Sequence, residues 1–597
     1  MKYICNPINI EYKYQFIRFY GNTSISREAA DPSLIRFKNK YYLFPSMAAG
    51  FFTSDNLADW EFHTLKDVPI YDYAPDVRVI GDYIYFSASN KYKNCSFFRS
   101  KDPINKEFEE IPGAFPFWDP NLFADEDGKI YFYWGCSNIT PIYGVELDPK
   151  DMQPKGEPVE LIFSNEKLHG FERCGENYIK TQSPEEVEAI INEHKKRNPE
   201  LPEAILKAMR LHFSYLPYVE GSWMSKNKGK YYLQYACPGA QYNVYADGVY
   251  ISNGPLGPFT LAQNNPYSYK PGGFIPGAGH GSTMEDEFGN LWHTSTMRIS
   301  INHMFERRLG IWPAGYDNEG ELFCNQRYGD WPQKLEKSKI NPWENPQWML
   351  LSYGKPAKAS SFEIGYSPSR ATDENIQTWW KAGSNVANEW LEIDLEQLCD
   401  VHAIQINFAE DKIATVIPEE SMFHKSGSEM RYIDERKHYT RWLLEGSEDG
   451  INYFLIEDKS DVATDLAHDF IIIEAGIKAR YLRCTIKELP YNQKACVSGL
   501  RVFGKGKGSL PEKIIISSIA FLSELDLLVK WKAIEVVGYN VLWGFSPEKL
   551  YHSCMVFDSN QMKIGALVKG QALYVRVDSF NENGITEGVV QKVTNCI

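Results

Sequence analysis

Short runs rich in aromatic and β-branched residues, too brief for helices and bounded by turn formers, recur five times in the first 300 residues. They are Tyr41-Tyr42-Leu43-Phe44, Tyr83-Ile84-Tyr85-Phe86, Ile130-Tyr131-Phe132-Tyr133, Tyr231-Tyr232-Leu233-Gln234 and Leu291-Trp292-His293-Thr294. Turns such as Asp125-Glu126-Asp127-Gly128 and Lys226-Asn227-Lys228-Gly229 lead into them, so the pattern predicts β-meanders. One polar residue stands nine to twelve positions ahead of the middle aromatic of each run: Asp31, Asp76, Asp119, Glu220 and His280. A repeat of short strands at this period predicts a propeller, whose innermost strands all face one channel. The expected fold is all-β: a five-bladed β-propeller over residues 1–340 that brings four carboxylates and a histidine into one cavity.

Between the third and fourth runs the spacing roughly doubles. The excess contains Ser183-Pro184-Glu185-Glu186, with Ser as cap, Pro in the first turn and Glu at the capping-box position, which predicts a helical insertion over about 183–212. Such an insertion either shapes a pocket or decorates the surface.

Beyond residue 340, runs such as Trp390-Leu391-Glu392-Ile393-Asp394-Leu395 and Tyr481-Leu482-Arg483-Cys484-Thr485-Ile486 predict a β-sandwich jelly roll over 341–508. The polar, charged segment from Glu410 to Arg441 reads as a long loop. Gly504-Lys505-Gly506-Lys507-Gly508 reads as a linker, and the short strands of 509–597 as a small immunoglobulin-like sandwich.

Composition narrows the function. The net charge of −15 and the lack of a long basic run argue against nucleic acid as a partner. No apolar run reaches the length needed to cross a bilayer, so no membrane partner is expected. Eleven dispersed cysteines without a CxxC pair indicate neither a disulfide framework nor a zinc ribbon. With no apolar leader after Met1, a cytoplasmic location is expected, or a periplasmic or secreted one if a signal was trimmed.

Clustered carboxylates suit hydrolysis of a sugar linkage. One protonated carboxyl gives a proton to the leaving oxygen, one carboxylate activates water or attacks, and a third nearby can raise the pKa of the acid. An oligosaccharide or polysaccharide is therefore the expected substrate, and no metal is required.

Arg27-Glu28-Ala29-Ala30-Asp31-Pro32, Trp118-Asp119-Pro120-Asn121-Leu122-Phe123 and Tyr218-Val219-Glu220-Gly221-Ser222-Trp223 resemble the three signatures of glycoside hydrolase family 43. The resemblance implies Asp31 as general base, Asp119 as modulator of pKa and orientation, and Glu220 as general acid. Tyr73-Ala74-Pro75-Asp76 resembles the second-blade motif, in which Asp76 would support structure or substrate binding. Gly277-Ala278-Gly279-His280-Gly281 resembles the fifth-blade motif, implying that His280 lies near the channel axis, where it would contact substrate or help hold a calcium ion, largely through water. Arg307 or Arg308 matches a basic position of the last blade that contacts substrate or the acidic cluster, with Arg298 a third candidate. Phe52, Trp118 and Trp223 lie beside these motifs in sequence and either stack on a sugar face or pack the blades.

The implied activity is exo-acting hydrolysis with inversion of α-L-arabinofuranosides, then β-xylosides or galactofuranosides, in plant-type glycans. Retention stays open, and the reading from another class is an inactive carbohydrate-binding propeller. Ala371-Thr372-Asp373-Glu374-Asn375 and Glu445-Gly446-Ser447-Glu448-Asp449-Gly450 resemble the discoidin (coagulation-factor type C) domain, which implies either sugar binding or a scaffold. Gly538-Tyr539-Asn540-Val541-Leu542-Trp543-Gly544 resembles fibronectin type III.

Overall fold

The computed structural model describes residues 1–19, 22–65, 68, 73–87, 89–90, 93–176, 178–419, 421–426 and 429–594. Five antiparallel sheets, the fourth with five strands and the others with four, follow one another in the chain, beginning at Ala30–Phe37, Asp76–Ile80, Asn121–Ala124, Glu220–Asn227 and Gly279–Glu285. These are the five blades of a propeller. The polar residue of each repeat lies on or just before the first strand, and the aromatic run is the second strand.

The second strands are not cleanly amphipathic, because a blade packs between two others and buries both of its faces. In Lys40–Ser46, Tyr41 and Leu43 face the fifth blade with Trp292, Leu309 and Ile311. Tyr42 and Phe44 face the second blade with Val77, Ile84 and Phe86. Phe44 stacks on Phe51 with ring centroids 4.7 Å apart.

Polar side chains fasten each blade to the next and close the ring. Val77 N donates to Ser33 Oγ (3.2 Å), Leu122 N to Asp76 Oδ2 (2.7 Å), and Met224 N to Asn121 Oδ1 (2.8 Å). His280 N then donates to Asp247 Oδ1 (2.6 Å), and Leu34 N to Ser282 Oγ (2.9 Å), which joins the fifth blade to the first. Each tie satisfies a backbone donor that has no ladder partner at the crowded centre.

Two helices, α1 (Pro184–Arg197) and α2 (Glu203–Phe213), stand between the third and fourth blades. Ser183 and Glu186 form a reciprocal capping box at the start of α1. Val187, Ile191 and Leu206 pack the two helices together.

The second unit is built on an eight-stranded antiparallel sheet whose long strands, Trp390–Phe408 and His468–Glu488, bend at register shifts and enclose a core around Trp380, Trp442 and Leu482. The third unit pairs a three-stranded sheet with a sheet centred on Gly538–Gly544 and Tyr574–Asn581. Its Trp531, Val541 and Trp543 share one apolar core with Tyr133, Leu233 and Tyr235 of the propeller.

Within the expected loop over 410–441 stands a hairpin, Ser421–Ser426 with Glu429–Asp434. Its second strand pairs with Lys13–Phe19, which also pairs with Asn22–Glu28, so these two N-terminal strands form a sheet shared with the second unit. The ten described cysteines are all free, and among the described residues no helix is long and apolar enough to cross a membrane.

Candidate active site

Asp31, Asp119 and His280 have left-handed backbones, with φ of 46°, 50° and 53°. Asp and His tolerate this region better than bulkier residues, yet each such position costs about 1–3 kcal/mol and is held only by its surroundings. Register shifts lie beside three of the five repeat positions, between Ala30 and Ser33, Glu220 and Trp223, and Gly279 and Ser282. An extra residue at a bulge re-aims a side chain that a regular strand would turn elsewhere. Gly221 follows Glu220 at φ 61°, and a Cβ there would lie 2.7 Å from Cγ of His280. The local distortions thus turn Asp31, Asp119, Glu220 and His280 into one cavity of about 420 Å³, which Trp118 and Arg307 also line.

Each carboxylate has its own environment. Asp31 is 4% exposed; its Oδ2 accepts from Ser46 Oγ (2.7 Å) and its Oδ1 from Arg307 Nη1 (3.0 Å). Its N–H donates to Thr296 Oγ1 at 2.7 Å. Burial pushes the Asp31 pKa upward, but Arg307, His280 and the hydroxyls of Ser46 and Thr296 outweigh it, and the group stays below the usual carboxylate range. Glu220 is held by neutral donors: Tyr245 Oη at 2.6 Å to Oε1 and Cys136 Sγ at 3.1 Å to Oε2. A carboxylate oxygen of Asp119 lies within 4.8 Å of Glu220 and of the Cys136 sulfur. The backbone N–H of Asp119 donates to Ser89 Oγ.

His280 sits among the acids, its Nδ1 3.5 Å from Asp31 Oδ1 and 3.8 Å from Asp119 Oδ2. Burial works against its imidazolium, but Asp31, Asp119, Glu220 and Asp247 overcome that and raise its pKa. Calcium takes six to eight oxygens; the carboxylates of Asp31 and Asp119 beside His280 would offer theirs, with His280 itself reached through water. The thiol of Cys136 makes the Asp119–Cys136–Glu220 group less suited to so hard an ion. At the turn after the third blade's first strand, Asp125 is bonded to Lys226 Nζ (2.6 Å) and Tyr231 Oη (2.5 Å).

Five residues singled out in the sequence do not line the cavity. Asp76 ties the second blade to the third through Asn121 Nδ2 (2.8 Å) and Leu122 N. Its buried carboxyl is pushed up to about 6 by desolvation, against the pull of Arg78. Trp223 lies under the Arg78 guanidinium, 3.3 Å from its ring centroid, in the core between blades. Phe52 packs in the core of the first blade. Arg308 points away from Asp31, toward His468 Nε2 (2.8 Å) and Glu410. The two arginines are neighbours on one strand, so they emerge on opposite faces, and Arg307 is the one that reaches Asp31. Arg298 bonds Glu176 at 2.6 Å.

Ser46, Thr296, Tyr245, Cys136 and Asp247 carry no motif, and sequence reasoning missed them. A search on the partner strands, where Ser46 pairs with Ala30, Ala236 with Glu220 and Thr296 with Gly279, would reach Ser46 and Thr296. The insertion supplies one wall of the cavity: Leu211 and His212 of α2, then Tyr215, Leu216 and Tyr218, opposite Met304 and Phe305.

Among solved structures, the chain is similar to a xylan β-1,4-xylosidase from Bacillus halodurans at 12% identity, covering 84% of this chain and 100% of that one with a TM-score of 0.39. It is also similar to an exo-1,5-α-L-arabinanase from a bovine ruminal metagenomic library at 20% identity, covering 50% and 97% with a TM-score of 0.34. A thermostable family-43 glycoside hydrolase matches at 21% identity over 57% of this chain and 100% of that one, with a TM-score of 0.39. No curated protein matches. The model of glycosyl hydrolases family 43 matches residues 20–321, just over half of the sequence and all five blades' inner strands. The chain therefore belongs to glycosyl hydrolase family 43.

Proposed function

We propose that this glycosidase is exo-acting and inverting, with Asp31 as general base, Glu220 as general acid and Asp119 holding and tuning the acid. The observation that carries the reading is the contrast between two carboxylates on one cavity. Asp31 is paired with a guanidinium at 3.0 Å, which keeps it ionised and able to take a proton from water. Glu220 is held by a phenol and a thiol, both uncharged donors.

In the reaction, water held by Asp31 attacks the anomeric carbon from the face opposite the leaving group. Asp31 accepts the proton of that water as the new C–O bond forms. Glu220 gives its proton to the glycosidic oxygen as the old C–O bond breaks, and the product sugar is inverted. Asp119, within 4.8 Å of Glu220, holds the acid in place for this step.

The wall built by α2 supports a closed end to the substrate site, as exo action requires. The family resemblance puts α-L-arabinofuranosides first and β-xylosides and galactofuranosides next. In the same reading the second unit is a discoidin-like scaffold and the third a fibronectin type III-like one. Buried ion pairs between Arg27 and Glu410 (2.7 Å) and between Arg27 and Asp465 (2.7 Å) support the scaffold role of the second unit.

The test is nitrophenol release from aryl α-L-arabinofuranoside, β-xyloside and β-galactofuranoside by wild type and Asp31→Ala. Turnover on one sugar that disappears in the variant is the expected result. Equal turnover by both proteins would overturn the assignment of Asp31.

A further inference from the structure

The side chain of Asp31 is the first member of a buried row of alternating charge that ends in another unit of the protein. Arg307 bonds Asp31 through Nη1 and Glu28 through Nε (3.0 Å) and Nη2 (2.6 Å). The other oxygen of Glu28 accepts from Nη1 of Arg431, and Nη2 of Arg431 donates to the phenolic oxygen of Tyr73, which lines the cavity. Tyr73 also lies against both guanidiniums, 5.4 Å from Arg307 and 5.3 Å from Arg431. Arg431 comes from the hairpin strand Glu429–Asp434, more than 400 residues from Glu28 and within the second unit's span. Arg431 and Glu28 are fully buried, and Arg307 is 3% exposed.

We propose that Arg431 is a positioning residue for the propeller's active site, acting on Asp31 through Glu28 and Arg307. The inference rests on the reading of Asp31 as the base. The reason is charge balance among buried groups. Glu28 and Asp31 carry two negative charges, and Arg307 and Arg431 supply two positive ones. Without Arg431 the row keeps one uncompensated buried anion, which proteins relieve by neutralising a group or moving a cation. Either response reaches Asp31: it takes up a proton more readily, or Arg307 turns from it toward Glu28.

Other groups also face Asp31. They are His280 and the hydroxyls of Ser46 and Thr296, with Asp119, Glu220 and Asp247 around His280 and Tyr245 nearby. A second buried set, Arg27, Arg308, Glu410 and Asp465, is linked by its own ion pairs, with His468 bonded to Arg308. Arg431 is the cation that the second unit adds to the row that includes Asp31.

The experiment is the pH dependence of kcat/KM for the full chain and for Arg431→Met, Arg431→Lys and Glu28→Gln/Arg431→Met, on the best aryl glycoside. The shape of the profile does not depend on how much of each preparation is folded, so a partly folded variant remains informative. Arg431→Met should move the acidic limb to higher pH, lowering kcat/KM on that limb by about tenfold while KM on the alkaline plateau changes little. Arg431→Lys should move it less, and the double variant should return it toward wild type, because the unbalanced charge of Glu28 is gone. An unmoved limb in Arg431→Met, or a shift that Glu28→Gln does not reverse, would overturn the proposal. If Asp31→Ala retains full activity, the base assignment fails instead, and the two failures are separate.

Discussion

Gly221 offers a clean test of how the backbone at the site serves the chemistry. It follows Glu220 with φ 61°, and a methyl group built on it would meet the His280 ring at 2.7 Å from Cγ, 2.8 Å from Cδ2 and 3.0 Å from Nδ1. Carbon atoms in contact sit about 3.5–4.0 Å apart, so Gly221→Ala must displace the ring or the strand by about 0.7–1 Å. A side chain at left-handed φ costs about 1–2 kcal/mol by itself. The control is Gly229→Ala in the same blade. Gly229 has φ 79°, and a Cβ there would have nothing within 4 Å. Both variants should lose about 1–2 kcal/mol to the left-handed φ, and Gly221→Ala about 1–3 kcal/mol more to the clash, which differential scanning calorimetry reads as a larger fall in Tm. Only Gly221→Ala should also lose activity, by roughly 10- to 100-fold in kcat, because a shift near 1 Å misaligns Glu220 and His280. Gly229→Ala should stay within about twofold of wild type. Equal kcat for the two variants would refute the claim that close packing of Gly221 on His280 sets the geometry of the acid.

Glu220→Gln should lower hydrolysis of glycosides with poor leaving groups by about 10²–10⁴-fold and spoil activated aryl glycosides less; equal loss on both, measured over a leaving-group series, would remove Glu220 as the acid. Arg307→Met should move the acidic limb of kcat/KM to higher pH. The pKa of Asp31 is now held down by Arg307, so losing that cation raises it, and activity disappears as pH falls through the new, higher value. A limb unchanged from wild type would show that His280 and the hydroxyls suffice. Trp543→Ala should cost about 3–5 kcal/mol although it lies outside the blades, because Trp543 is 1% exposed in the core shared with Leu233 and Tyr235. Activity and third-unit structure should be lost in a single thermal transition; two separate transitions would refute the shared core.

Five blades, and the five polar positions ahead of their aromatic strands, could be read from the chain because strand length, turn chemistry and repeat spacing are local properties. Asp31, Asp119, Glu220 and His280 meet in one cavity because equivalent places in a propeller face one axis. What the chain did not disclose depends on distance or on a single step of register. Arg307 and Arg308 were indistinguishable in sequence, yet alternation along their strand sends one to Asp31 and the other to His468. Beside Glu220 a bulge shifts the pairing, and Trp223 falls into the core while Trp118 lines the cavity. The charged segment from 410 to 441 read as a loop because its strand partner, Lys13–Phe19, lies some 400 residues away. Local sequence thus determined which side chains could do the chemistry. Tertiary structure decided which of them face Asp31 and that the second unit lends it an arginine, since burial and charge balance exist only once distant segments have packed.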